Sequence, residues 1–192
     1  MAWKIEKWLA EVFPGEDKIY SEYRNLTPRE LAIVSVAVLD LALAELITLR
    51  FKKHSIEIEK FLGLDGDGRA PVGSFGARIQ LALLLDIITP DDAEILRALK
   101  AIRNIFSHSV RKDFLAPEVQ KYSFKLLGLI RAHGIKIRGI ANNESLETIE
   151  QSLSIVSEAG EGLLLAVFTI YQAYFHRMHA KILPINEGLD LA

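Results

Sequence analysis

Two short segments constrain the fold of this chain most, because each one specifies where a helix begins. Residues 27–30 (Thr-Pro-Arg-Glu) and 89–92 (Thr-Pro-Asp-Asp) place a capping hydroxyl before a proline at the first helical position, with an acidic residue in the first turn. Apolar residues follow both segments at helical spacing, and no stretch shows the alternation of a half-buried strand. The sequence therefore predicts an all-α protein.

Further start and stop signals predict a bundle of about six helices. We expect helices over residues 2–13, 28–53 (with a continuation to 62), 75–87, 90–108, 117–132 and 143–182. Ser74 is expected to cap the third helix, which is apolar nearly all round and is therefore expected to be central. No repeat or linker divides the sequence, so residues 1–192 are predicted to form a single domain, in which residues 1–25 are an amphipathic helix and a connector.

Composition excludes several classes of protein. The chain has no cysteine, which excludes a disulfide framework, a thiol nucleophile and a cysteine-based zinc site. Its net charge of -2 lacks the basic excess of an obligate nucleic-acid binder.

Charges near the N-terminus argue against a signal peptide, and the apolar stretches 33–49 and 163–175 are interpreted as core helices rather than membrane spans. We therefore expect a cytoplasmic protein with no membrane contact.

The most prominent polar cluster is the segment 103–108 (Arg-Asn-Ile-Phe-Ser-His), which lies near the end of a mostly apolar helix. Buried polar groups need partners, so Arg103, Asn104 and His108 either fasten helices together or carry out chemistry. In a catalytic role, His108 would transfer a proton and Arg103 would hold a phosphate, provided that the helix unwinds at Ser107. In the structural role, which we favour, these side chains pair within the fold, and His108 complements the helix C-terminus.

Two acidic residues, Asp40 and Glu45, interrupt the apolar run of the second helix, and Asp40 lies in the middle of it. A carboxylate in such a run is rarely buried without a partner. We therefore predict a salt bridge from Asp40 to Arg78 or Arg103, and Arg103 is also a candidate partner for Asp86. The polar cluster predicted on these grounds consists of Asp40, Arg78, Arg103, Asn104 and His108.

The start of the third predicted helix is a further candidate site, because backbone N–H groups at helix N-termini bind anions. Ser74, Gly76 and Arg78 would hold a phosphate there, although a plain helix cap explains the same residues. The Asp-Gly-Asp-Gly segment that precedes them fails the calcium-loop pattern at its later positions. His176 and His179 have no carboxylate within a helical turn, so no metal site and no cofactor is predicted.

Three segments together resemble the mannitol operon repressor family. They are residues 70–79 (Ala-Pro-Val-Gly-Ser-Phe-Gly-Ala-Arg-Ile), 88–92 (Ile-Thr-Pro-Asp-Asp) and 103–108, and the resemblance covers residues 26–126. It implies an all-helical cytoplasmic protein that is linked to transcriptional repression of sugar-alcohol uptake. It also implies that no DNA-binding motif is present, so that repression acts through a protein partner, either a regulator or a transport component. The family pattern marks Asp40, Gly73, Phe75, Arg78, Arg103, Asn104 and His108.

The segment 103–108 is also similar to the motif of HEPN-type ribonucleases. In that group an arginine, a polar residue and a histidine form an RNA-cleaving site that needs no metal. The resemblance implies that Arg103, Asn104 and His108 are catalytic, and that two copies of the chain pair so that their motifs face one groove.

Two interpretations of function follow. The leading one is a non-enzymatic regulatory protein that acts through protein partners, without sequence-specific DNA binding and without a cofactor. The alternative is a metal-independent endoribonuclease, and both leave a homodimer open. Aromatic residues of the predicted first helix are candidates for the contact surface of the regulator, because aromatics are enriched in interface cores. They are Trp3, Trp8 and Phe13.

Overall fold

The computed structural model describes residues 25–51, 56–66, 69–109 and 112–133, together with the single residue Val167. These residues form five helices, named α1 (Pro28–Arg50), α2 (Ile56–Leu62), α3 (Phe75–Leu84), α4 (Pro90–His108) and α5 (Pro117–His133). No strand occurs in the described ranges, so the all-α prediction is confirmed for them. The helices predicted over 2–13 and 143–182 lie outside those ranges, except for Val167, which is helical.

The three predicted helix caps are confirmed by their hydrogen bonds. At the start of α1, the Thr27 hydroxyl accepts a bond from the Glu30 amide at 3.3 Å, and the Glu30 carboxylate accepts one from the Thr27 amide at 2.8 Å. Thr89 and Asp92 make the same reciprocal pair at the start of α4. Ser74 Oγ accepts a bond from the first turn of α3 at 3.2 Å. Local sequence therefore fixes where these helices begin.

The end of α3 differs from the prediction. The helix stops at Leu84 rather than at residue 87, because Asp86 adopts a left-handed conformation with φ of 54°. The Asp86 amide bonds to the Leu83 carbonyl at 3.2 Å, and the Ile87 amide bonds to the Ala82 carbonyl at 2.9 Å. This is the Schellman arrangement that usually uses glycine. An aspartate tolerates the left-handed region better than most residues, but its presence gave no stop signal in the sequence.

Helix α4 is the element that organises the described packing. It packs against α5, α1 and α3, while α1 also packs against α3 and α2. The Phe106 ring of α4 packs against the Phe114 ring with centroids 5.0 Å apart, and Val167 is fully buried in the same core. Helix α3, which is expected to be central, packs against both α1 and α4, but Leu84 at its end is 71% exposed, so the described residues do not enclose α3 on all sides.

A chain of exposed polar contacts also crosses three helices. Arg97 of α4 donates to Gln80 of α3 at 3.1 Å and to Glu94 of its own helix at 2.7 Å. Glu94 in turn accepts a bond from Lys125 of α5 at 2.9 Å. Exposed pairs of this kind contribute little free energy each, so apolar packing carries most of the stability.

Helix α1 is long and apolar enough to span a bilayer on length and composition alone. Most of its apolar stretch is buried against other parts of the protein, and residues such as Leu39, Leu43 and Ile47 have no exposed surface. A signal sequence near an N-terminus passes the same composition test, but burial of this kind is what a core helix shows. The interpretation of residues 33–49 as a core helix therefore agrees with the packing of α1.

Candidate functional site

The guanidinium of Arg78 joins three separate segments of the protein. Its Nη1 donates to Asp40 Oδ1 of α1 at 2.7 Å, its Nη2 to the Leu62 carbonyl at the end of α2 at 2.6 Å, and its Nε to the Val72 carbonyl at 3.2 Å. The side chain is only 6% exposed. Carbonyls in the last turn of a helix have no partner within the helix, and the planar fork of arginine can reach several acceptors at once. Arg78 therefore acts as a structural clamp.

The salt bridge predicted for Asp40 is confirmed, with Arg78 as the partner rather than Arg103. Within the described residues, Arg103 makes no ion pair with Asp40 or with Asp86, and Asp86 is exposed in the turn after α3. The reason is positional, because Arg78 lies one turn into α3, and this helix brings it directly against α1. The choice between two equally charged partners depended on this packing.

Burial dominates the electrostatics of Asp40, whose side chain is 22% exposed. Removal from water raises the pKa of Asp40 above its usual 3.8, and the positive charges of Arg78, Arg103 and Lys100 only partly offset that rise. The ionised carboxylate is therefore not a net source of stability, as is common for ion pairs taken out of water. The bonds from Arg78 to two backbone carbonyls are the more important part of the clamp.

Lys100 is a residue that the sequence analysis missed. Its ammonium lies across Gly76 in the first turn of α3, so closely that a β-carbon at Gly76 would collide with it. Lys100 and Arg103 are three residues apart on α4 and therefore share a face of the helix. Both lie near enough to Asp40 for their positive charges to offset part of the rise in its pKa. The sequence did contain a signal for Lys100, because it lies three residues before Arg103 and therefore on the same side of α4.

The segment 103–108 is continuous helix to its last residue. Ser107, where unwinding would have been needed, donates from Oγ to the Arg103 carbonyl at 2.9 Å within the helix. At 3.6 residues per turn, Arg103 and His108 point about 140° apart. Arg103 is half-buried, whereas His108 is exposed. The structure thus does not bring these two side chains together within one chain, although Asn104 and His108 do share a face.

The phosphate site proposed from Ser74, Gly76 and Arg78 is not assembled in the way the sequence suggested. Ser74 caps α3 as expected, but the Arg78 guanidinium is turned away into its three acceptors. Lys100 instead occupies the space over Gly76. In the ranges that the structure describes, no three histidine, aspartate or glutamate residues converge as metal ligands. His176 and His179 lie outside those ranges.

The first prediction separates the two roles of Arg78. Arg78→Met should lower the free energy of unfolding by about 3 kcal/mol or more, because it leaves two buried carbonyls and the Asp40 carboxylate unpaired. Asp40→Asn should cost less than about 1 kcal/mol, because the amide oxygen still accepts a bond from Arg78 and the ionised carboxylate is not a net source of stability. Urea unfolding at pH 7 measures both, and Arg97→Gln serves as an exposed control with an effect below about 0.5 kcal/mol. Equal losses for the Asp40 and Arg78 variants would contradict the clamp.

The second prediction concerns pH. The folded-state pKa of Asp40 is raised, so the folded chain holds this proton more tightly than the unfolded chain does. The stability contributed by Asp40 is therefore present at low pH and is lost as the pH rises from about 4 through the folded pKa. The difference in unfolding free energy between the wild type and Asp40→Asn isolates this effect from other carboxylates. That difference should shift against the wild type as the pH increases, and a shift in its favour would contradict the assignment.

Comparison with known proteins adds no relative to this picture. No protein-family model matches the chain, and no curated protein and no solved structure matches it at a significant level. The resemblances to the mannitol operon repressor family and to HEPN-type ribonucleases therefore stay predictions.

Proposed function

We propose that this chain is a cytoplasmic regulatory protein that acts in transcriptional repression through protein partners rather than by binding DNA itself. Its architecture in this proposal is a single-domain bundle of about six helices, in which α1 and α2 count as one predicted helix with its continuation, and the sequence-predicted helices at 2–13 and 143–182 join the described core. The resemblance of residues 26–126 to the mannitol operon repressor family suggests the process. The net charge of -2 is in keeping with a protein that does not use a broad basic surface for nucleic acid.

The observation that carries the proposal is the unbroken helix across residues 103–108. Arg103 and His108 lie on different sides of α4, and Ser107 reinforces the helix between them. Asp40 and Arg78, the other members of the predicted cluster, hold three segments of the fold together. A structural role for the polar cluster thus explains these contacts without a reaction.

Exposed apolar side chains support the choice of a protein partner. Leu115, just before α5, is 70% exposed, and Phe124 on α5 is 66% exposed. Large apolar groups of this kind gain free energy when another protein covers them. Phe124 is the stronger candidate of the two, because aromatic residues are enriched in the cores of interfaces.

The third prediction tests this proposal by site-specific cross-linking. A photoreactive amino acid at position 124, introduced in the cells that express the chain, should give a discrete adduct with another protein, because Phe124 is expected at the contact. The same group at Lys60, which is exposed on α2, is the matched control and should give none. Adduct size on gels and mass spectrometry of the adduct are the readouts.

Selection from a library of random duplex DNA is the complementary experiment. The purified protein should enrich no sequence, and any DNA that it retains should be lost as salt increases. An enriched motif that the protein alone binds in a salt-resistant manner would contradict the proposal.

A second candidate function is the metal-independent ribonuclease. Two observations favour it: Arg103 Nε is buried without a hydrogen-bond partner among the described residues, and His108 is exposed at the end of α4. In this case a second copy of the chain would bring its His108 to Arg103. The geometry within one chain supports this function less well than the regulator.

The fourth prediction distinguishes the two functions. If the regulator proposal is right, RNA incubated with the wild-type protein and a chelator stays intact, since Arg103 and His108 do not meet. Cleavage that disappears in both His108→Ala and Arg103→Gln would establish the ribonuclease instead. Arg97→Gln is the control, because it removes a charge from the same helix at an exposed pair. Cleavage that all of these variants retain would indicate a contaminating nuclease.

A further inference from the structure

Two cations of α4, Lys100 and Arg103, are half-buried. Among the described residues, Lys100 and Arg103 make no ion pair, although other lysines and arginines such as Arg78, Arg97 and Lys125 do. Lys100 and Arg103 lie one turn apart on the same side of the helix. Their charges are therefore concentrated at one place on α4.

The charge at this place is unbalanced. Asp40 feels the positive charges of Arg78, Arg103 and Lys100, so at least three cations lie near this one carboxylate. The carboxylate oxygen Oδ1 already accepts the bond from Arg78 at 2.7 Å. Lys100 and Arg103 are half-buried and make no ion pair among the described residues. Electrostatic attraction to a further anion is stronger in such surroundings than at an open surface.

Arg103 provides direct evidence of an unmet hydrogen bond. Its Nε is closed off from solvent and has no acceptor among the described residues. A buried charged donor left in this state costs free energy, and an oxyanion is the type of acceptor that an arginine fork fits best. The Arg103 Nε–H donor therefore lacks an acceptor in the described part of the chain.

Lys100 places the second cation over the first turn of α3. Its ammonium lies against Gly76, where the backbone N–H groups of a helix start have no partner within the helix. Positive charge on a lysine is unfavourable beside the positive end of a helix. The absence of a side chain at Gly76 lets the ammonium lie this close, and an anion beside the ammonium would offset the repulsion.

We propose that Lys100 and Arg103 bind a phosphate-type oxyanion, either free phosphate or a small phosphate monoester, where α4 packs against the first turn of α3. Lys100 supplies a compact point charge, and Arg103 supplies the directional hydrogen bonds. Arg78 takes no part, because Asp40 and two carbonyls already occupy its donors. The proposal does not depend on the function proposed above, since neither a protein partner nor a reaction is needed for the anion to bind.

The experiment is a titration of the full chain with inorganic phosphate at constant ionic strength, with chloride as the balancing ion, followed by calorimetry and by phosphorus NMR line width. Lys100→Gln and Arg103→Gln should each weaken binding by about ten-fold or more, the effect of losing a hydrogen bond to a charged group. Arg97→Gln, on the same helix but already paired with Glu94, should bind as the wild type does. Methyl phosphate, titrated in parallel, separates the sources: tighter binding than phosphate assigns the monoester, and weaker binding assigns the free anion.

Gly76→Ala provides a test that removes no charge. The added β-carbon would displace the Lys100 ammonium from α3, while alanine favours the helix, so the fold should persist and phosphate binding should weaken. Circular dichroism confirms folding of each variant. Absence of saturable phosphate binding to the wild type would overturn the proposal, and so would wild-type affinity in the Lys100, Arg103 and Gly76 variants. Binding of an RNA oligonucleotide without binding of phosphate or methyl phosphate would also overturn it, in favour of the ribonuclease.

Discussion

The relative positions of α1, α2 and the start of α3 depend on one guanidinium. Arg78 donates to a carboxylate of α1, to the last carbonyl of α2 and to a carbonyl just before α3, so that a single side chain fixes the positions of segments far apart in sequence. The bonds to carbonyls matter most, because those acceptors have no other partner where a helix ends and a loop turns. Apolar packing between α1, α3 and α4 then closes around this clamp.

Much of the fold was predictable because the decisive signals are local. The caps at Thr27, Ser74 and Thr89 are set by residues within one turn, and the structure has the helix starts that they predict. The early end of α3 was not predictable in the same way, since the left-handed residue is Asp86 rather than glycine. The sequence also indicated that Asp40 needed a cation. It did not reveal which one, because Arg78 and Arg103 differ only in how their helices pack.

The candidate site shows the same division between local and long-range information. The spacing of Asn104 and His108 correctly placed them on one face, and the same arithmetic separated Arg103 from His108 once the helix proved continuous. The backbone acceptors of Arg78 could not be predicted, because any residue offers a carbonyl. Lys100 was missed for a related reason: its relation to Gly76 exists only where α3 and α4 meet. Arg103 and the exposed His108 therefore lie on different sides of α4.

The burial of Val167 has a consequence for how the chain matures. This residue has no exposed surface and belongs to the same core as α1, α4 and α5, yet it leaves the ribosome well after all of them. Chains are synthesised at about 5–20 residues per second, so the helices up to His133 spend seconds in the cell before Val167 joins this core. During that interval the apolar side chains that Val167 covers are exposed to water, and they are a binding surface for a chaperone.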